Sequence, residues 1–379
     1  MLYPFKPKLL KNIIMPNYKP ENSYIFHRTG QKVQNRSVLA AMTNKQSHDN
    51  GIISQDEIDW LIERAKGEFG IITTAATNVS KEGKAWQGEF GVYNDLHIPK
   101  LKKLTSEIHL TKSLIFAQLF HGGLRSPQTL TKEIPLGPSK IKCTESKSGY
   151  SKKASINDIT KIIKDFTDAA IRCSKSGFDG IEIHGAHGYL ISQFLGTKTN
   201  LRNDNWGGNL INRARLLIQI CESIKKNVPD TFLIGVRISP EIDSIGIKLK
   251  DTINLIEHIN KLNLDFIHLS CWNVFSKYKY LQVEKTFTEI ITQKYNNLPT
   301  IISTGAVWSR KDAKNLLKQG ADLVGVGRVA IAYPNWGKNL NDINYNPKKP
   351  PFTKEHLKKS KLSKTFIEYM RHWDGFVVD

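Results

Sequence analysis

The sequence predicts an α/β chain that closes into a (β/α)8 TIM barrel. Three observations lead there: eight short apolar runs, longer amphipathic stretches between them, and 379 residues, enough for one barrel-sized core with flanking segments. The runs are SVLAAMT (37–43), GIITTAAT (70–77), LIFAQLFH (114–121), FDGIEIHG (178–185), FLIGVRIS (232–239), DFIHLS (265–270), PTIISTG (299–305) and DLVGVG (322–327). They are apolar throughout rather than alternating, as strands buried on both faces of a parallel sheet are. Eight βα units with right-handed crossovers point to closure, with an open doubly wound sheet as the competing topology.

The helices between the runs carry their own punctuation. Ser54-x-x-Glu57 opens SQDEIDWLIERAKG as a capping box, and Gly70 closes that stretch. SINDITKIIKDFTDAAIRCSKSG (155–177) keeps apolar residues at helical spacing and ends on Gly177, placed to cap it. The connection after the third strand, residues 122–154, is far longer than a usual loop and reads as a lid or small hairpin over the active face. The expected division is an N-terminal extension over 1–36, the barrel over 37–345 and a basic C-terminal segment over 346–379.

A composition of 40% hydrophobic and 24% charged residues excludes a disordered chain and a polytopic membrane protein. The net charge is +20, but it comes from 43 Lys and only 12 Arg, whereas base recognition leans on the guanidinium fork. No specific nucleic-acid partner is therefore expected. The densest stretch, Lys348 to Lys364, sets seven lysines against Glu355 and reads as a solvated tail. A polyanion contact arm, and with it a non-catalytic polyanion-binding protein, is the rival reading. Cys143, Cys173, Cys221 and Cys271 form no C-x-x-C pair and read as free thiols of a reducing compartment. No apolar run reaches the ~18 residues of a spanning helix, and MLYPFKPKLLKNIIMPNYK has no signal-peptide apolar core. The expectation is a cytoplasmic protein with no membrane partner, although the basic, acid-free start leaves organelle import open.

In a barrel the working side chains lie at the C-terminal strand ends. That rule selects Thr43, closing Ala41-Met42-Thr43 after the first strand, then Ala76, then Gln118 and His121. It continues with His184, His187 and Tyr189 after the fourth strand, Arg237 on the fifth, Gly305 after the seventh, and Gly327 with Arg328 after the eighth. The glycines of S303-T-G-A and G325-V-G-R let backbone N–H groups approach a phosphate, and Arg328 can pair with it. G325-V-G-R-V-A330 also matches a dinucleotide fingerprint, and a glycine turn needed only for packing is the alternative.

His184 and His187, three residues apart after a buried strand, can converge on a metal or hydrogen-bond one oxygen. Tyr189 favours the second reading, since a phenol is a good proton donor to a carbanion-like centre and a poor ligand beside histidines. A metal site would want a third ligand, for which His121 is the candidate at a strand end, and would make the chain a metal-dependent barrel hydrolase or aldolase. One or both histidines serving only as satisfied core residues is the third reading. Arg237 inside a barrel needs an anion, either a ligand or Glu182 on the neighbouring strand.

These residues bring the chain close to a known family. H184-G-A-H187-G-Y189-L-I-S-Q193-F-L, then N200-x-R202-x-D204-x-W-G-G and N212-R213-x-R215, resembles the long signature of the old yellow enzyme family of FMN-dependent ene-reductases. The similarity runs from N35-R-S-V-L-A-A-M-T43 through Q118-L-F-H121 and S303-T-G-A to G327-R328, in the family's order. It implies an FMN-binding barrel in which NADH or NADPH reduces the flavin and the flavin reduces an α,β-unsaturated carbonyl compound, with ping-pong kinetics. Carried over by position, His184 and His187 would hold the substrate's carbonyl oxygen and Tyr189 would protonate its α-carbon. Thr43, beside Ala41 and Met42, would lie against flavin C4=O and N5, with Ala76 also on the cofactor. Gln118 and Arg237 would meet the pyrimidine end, and Gly305, Gly327 and Arg328 the phosphate. No metal is implied. The chain departs from the pattern at Ala41, where many members have Pro, and at Leu124, where the usual Arg is displaced to Arg125. It departs again at Ile211, which stands for a common Glu, and at G196-T-K, which replaces Ser-Pro. Larger members add an iron–sulfur motif and a nucleotide-binding domain, so a single-domain member is expected. A homo-oligomer is compatible with the family, with Trp373 and Phe376 of the C-terminal segment as residues that could pack on a neighbour.

Overall fold

Eight parallel strands close on themselves: β1 (Ser37–Leu39), β2 (Ile71–Asn78), β3 (Leu114–Phe120), β4 (Gly180–His184), β5 (Leu233–Ile238), β6 (Phe266–Ser270), β7 (Thr300–Thr304) and β8 (Leu323–Val326). The computed structural model describes residues 19–280 and 283–379, so most of the basic N-terminal stretch lies outside the described residues. Every apolar run contributes its core to the strand expected of it. β8 pairs with β1 through Val324 and Ser37, which completes the ring. The register slips once, between Thr73 and Ala76 of β2, and this bulge sets Ala76 opposite Gln118. Among the described residues no helix is long and apolar enough to cross a membrane.

The strand starts are tied by carboxylates. Asp179, Asp265 and Asp322, just before β4, β6 and β8, accept the N–H groups of Ile115 at 2.7 Å, Ile234 at 2.8 Å and Ile301 at 2.9 Å. Below them a two-strand hairpin, Tyr24–Ile25 with Lys32–Val33, plugs the barrel floor. Phe26 enters between Phe116 and Phe266, whose rings stack at 5.3 Å, and Arg28 clamps Asp265 with two bonds of 2.8 Å. Phe266 in turn needs Gly235 across the barrel, where a Cβ would lie 2.3 Å from its ring.

The crossover helices include α1 (Gln55–Lys66), α2 (Ile98–His109), α3 (Ile156–Lys175), α4 (Leu210–Asn227) and α5 (Leu249–Asn260). α3 begins on a reciprocal capping box of Ser155 and Asp158, with Gly177 at φ +85° just after its end. α1 departs from expectation. Ser54 accepts the Glu57 N–H, but the Glu57 carboxylate turns to Asn44 at 2.7 Å and Ser47 at 2.5 Å. Burial pushes its pKa up to about 7, against those two bonds. The helix ends on Gly67, and Gly70 serves a close approach instead, a Cβ there falling 2.5 Å from the Asn35 carbonyl.

Residues 122–154 form no hairpin lid. A two-residue parallel ladder joins Leu136–Gly137 to Lys152–Lys153, and Arg202 pins the segment through the carbonyls of Pro138 at 3.0 Å and Ala154 at 2.6 Å. The C-terminal segment is no solvated tail either. Phe352–Thr353 pairs with Val377–Val378, and two helices, Lys354–Lys359 and Lys364–Met370, bury Leu357, Phe366, Ile367 and Met370. Phe366 packs edge-on against Trp60 of α1 at 5.5 Å. The lysines that suggested a tail, Lys358, Lys359, Lys361 and Lys364, point outward from this packed layer.

Phe26→Ala is expected to lower the unfolding free energy by about 3–5 kcal/mol in chemical denaturation, the cost of an aromatic cavity. Cofactor binding at the far end of the barrel should be retained.

Candidate active site

The C-terminal strand ends surround a cavity of about 340 Å³, within the range of ligand pockets. Its wall includes seven of the residues selected from sequence: Met42, Thr43, His187, Arg237, Gly305, Gly327 and Arg328. Ala76, Gln118, His184 and Tyr189 do not line it, and Ala41 takes part through its carbonyl, which accepts from Arg237 Nη1 at 3.2 Å.

The chain turns at His187 and Gly188, with φ of 60° and 76°, to pass from β4 into the short helix Leu190–Leu195. Gln193 holds this elbow to the loop after β3, donating to the carbonyls of Gly188 at 2.8 Å and Gly122 at 3.1 Å and accepting from Leu124 N–H at 2.9 Å. His184 Nδ1 accepts the Ala186 N–H at 3.2 Å, which places its proton on Nε2. That nitrogen meets His187 Nδ1 at 3.2 Å, and His187 Nε2 reaches Ser270 Oγ at 2.8 Å. The two imidazoles therefore form a relay rather than aiming side by side at one point. Burial, then the charges of His187 and Arg237, hold His184 far below its ordinary pKa. His187 shows an outer edge to solvent, yet its ring is enclosed, and desolvation followed by Arg237 depresses it too. Both are neutral N–H donors at physiological pH.

Tyr189 packs edge-on against Phe120 at 4.6 Å and His184 at 5.0 Å. Burial raises its phenol pKa, while the Arg125 guanidinium, 4.4 Å from the ring centroid, opposes that rise. His121 faces away, in a second cavity lined by Glu82 and Lys161, and cannot join the other two histidines as a third ligand. Among the described residues, no group of three or more His, Cys, Asp or Glu is placed to hold a metal.

Under the cavity lies a buried charge network. Glu182 accepts from Gln118 Nε2 at 2.5 Å and from His268 Nδ1, and stands 4.0 Å from Arg237 Nη1. His268 Nε2 continues to Thr304 Oγ1 at 2.6 Å. Burial favours the protonated acid, yet His268, Arg237 and Gln118 together hold Glu182 below the usual carboxylate range. Both sequence readings of Arg237 are thus realised, since it balances Glu182 and also faces the cavity. Its Nε is buried with no hydrogen-bond partner. An orphaned donor of this kind fits a ligand that brings its own acceptor.

Sequence reasoning missed the rest of the wall. Trp272, Trp308, Tyr369, Met370, Trp373 and Phe376 line the cavity, four of them from the C-terminal segment. Phe376, expected as a residue that could pack on a neighbour, is buried within its own chain against Phe352. Trp272, 83% exposed at the rim, lies 5.5 Å beneath the Arg328 guanidinium. The only sequence signal for these residues was the aromatic density near the C-terminus.

A family model described as the NADH:flavin oxidoreductase / NADH oxidase family matches residues 28–345. The chain belongs to this family. It is 34% identical over 328 residues to "Probable NADH-dependent flavin oxidoreductase YqiG" of Bacillus subtilis, covering 85% of this chain and 87% of that protein. It is 33% identical over 333 residues to the NADH:acrylate oxidoreductase of Vibrio harveyi, covering 84% of this chain but only 33% of that longer protein. Among solved structures, the old yellow enzyme homologue from Zymomonas mobilis superimposes with a TM-score of 0.77 at 23% identity, over 91% of this chain and 97% of that one, and confirms the fold. The chain is thus an FMN-dependent NADH/NADPH oxidoreductase of the old yellow enzyme type. The cavity suits that cofactor: the Arg237 Nε–H awaits an acceptor, and at Gly327 a Cβ would crowd Met42 Sδ at 3.2 Å.

Because the folded-state pKa of His184 is depressed, the stability it contributes is complete above the unfolded value of about 6.5 and is lost as pH falls below it. Denaturant unfolding between about pH 7 and pH 5 should show this loss, and His184→Gln should shrink the slope by up to about 1.4 kcal/mol per pH unit.

Proposed function

We propose that this oxidoreductase reduces the C=C bond of α,β-unsaturated carbonyl compounds, with Tyr189 as the proton donor. The observation that carries the reading is the set of two neutral imidazole donors and a protonated phenol packed together beside the cavity. When bound, FMN takes two electrons from NADH or NADPH and passes them on to the alkene. The chain's own residues do the rest.

As electrons enter the alkene, negative charge gathers on the carbonyl oxygen. That oxygen takes the place of Ser270 Oγ and of His187 Nδ1 as acceptor for the two Nε2–H groups, so the relay opens into a pair of donors. Because both rings are neutral, they stabilise the developing charge without surrendering a proton to it. Tyr189 delivers its proton to the α-carbon, and its raised pKa keeps that proton in place until the carbon becomes basic. On the cofactor side, Arg237 with its free Nε–H would answer the electron-rich edge of the flavin, and Gly305, Gly327 and Arg328 would receive the phosphate. Thr43, flanked by Ala41 and Met42, would touch the ring, while Ala76 and Gln118 support it from beneath. The acceptor named for the Vibrio harveyi relative, acrylate, is itself a conjugated alkene.

Two experiments test the proposal. Tyr189→Phe should leave flavin reduction by NAD(P)H within a few-fold of wild type in stopped-flow absorbance but slow flavin reoxidation by 2-cyclohexenone by about 10²–10⁴-fold, the usual contribution of a positioned acid. Equal slowing of both halves would sink the assignment. Arg237→Gln should raise the FMN dissociation constant about 10- to 100-fold, the worth of a charge-assisted hydrogen bond, as read by flavin fluorescence.

A further inference from the structure

Arg125 stands between the two side chains assigned above to proton delivery and oxygen binding. Its guanidinium carbon lies 4.4 Å from the Tyr189 ring centroid, and Nη1 donates to the His187 carbonyl at 3.0 Å. Lys45 makes a parallel arrangement nearby, with Nζ 4.9 Å from the ring centroid of Tyr369, whose hydroxyl is bonded to Thr43. Tyr369 lines the cavity with Thr43 and His187. Neither cation makes an ion pair among the described residues. The acids that might have answered them are otherwise engaged: burial pushes Glu89 far above its ordinary value, and Glu182 is balanced by Arg237. The rim beside the catalytic cluster therefore carries positive charge that no protein carboxylate neutralises.

A guanidinium stacked on an aromatic face keeps its in-plane N–H groups available, and of the five on Arg125 one is spent on His187. Two neutral imidazoles suffice for a ketone oxygen gaining partial charge. An alkene activated by a carboxylate differs, because the group is already an anion and gains further charge as electrons arrive. In a low-dielectric site only a cation offsets that. We propose that Arg125, assisted by Lys45, is the carboxylate receptor of this site and that the acceptors are α,β-unsaturated carboxylates. The inference rests on the ene-reduction proposed above. The C=C π bond breaks, a hydride equivalent from NAD(P)H adds to the β-carbon by way of the flavin, and Tyr189 gives a proton to the α-carbon and is reprotonated from water. NAD(P)H leaves as NAD(P)+, and the carboxylate keeps its charge and its bonds throughout.

The test compares cinnamate with its methyl ester on the FMN-loaded protein, for wild type, R125Q, R125K and K45Q. R125Q should lower the acid-to-ester ratio of kcat/KM at least tenfold, chiefly through the KM for the acid. R125K should recover part of that ratio, K45Q should lower it about threefold, and kcat/KM for NAD(P)H should fall no further than that for the ester. Equal losses on acid and ester would mean that Arg125 only orders Tyr189, and a loss confined to NAD(P)H would mean that the anion met there is the dinucleotide's diphosphate. Either result overturns the proposal, as does a wild-type enzyme that reduces the ester but not the acid. Wild type that reduces neither overturns the ene-reduction reading and this inference with it. If R125Q does not fold, R125K and K45Q give the same ratios.

Discussion

One buried carboxylate, Glu182, organises the upper half of the barrel. It sits on β4, accepts from Gln118 on β3 and His268 on β6, and lies against Arg237 on β5, while His268 reaches on to Thr304 on β7. Five of the eight strands are thereby joined through side chains across the barrel interior, in addition to their backbone ladders. Each partner covers part of a desolvation cost that none could carry alone, and an ion left without its mate in such a place costs about 3–5 kcal/mol. The network therefore holds the strand ends at fixed spacing and presents Arg237 to the cavity with its charge already balanced.

The two ends of the barrel divide the labour. The floor is apolar, filled by Phe26, Phe116 and Phe266 around Gly235, and closed by a hairpin that belongs to no βα unit. The mouth is polar and aromatic, and its reactive groups are neutral imidazoles, a protonated phenol and cations held on tyrosine faces. Stability is concentrated where nothing reacts, and strained or unsatisfied features lie where a ligand can answer them. His187 in the left-handed region and the orphaned Arg237 Nε are two such features.

The C-terminal segment shows how a surface composition can mislead. Its lysines are outward-facing, as their number suggested, but they decorate helices whose other faces bury Leu357, Phe366 and Met370. Short helices of six and seven residues give too few turns for the apolar stripe to stand out against the charge. The same brevity hid Tyr369, Met370, Trp373 and Phe376 as cavity residues.

The strands were legible because a parallel barrel strand is buried on both faces and writes its burial as one unbroken apolar run. The site was legible in outline because chemistry at a barrel's mouth must come from strand ends, which places Thr43, His187, Arg237, Gly305 and Arg328 from local pattern alone. What the tertiary structure decided were the partnerships. That His184 and His187 bond to each other and to Ser270, that Glu57 leaves its capping box for Asn44 and Ser47, and that Arg125 covers Tyr189 all follow from contacts between segments distant in sequence. A residue's type and spacing bound which bonds it can make. Which of them it makes depends on what the fold brings within about 3 Å, and no local pattern carries that distance.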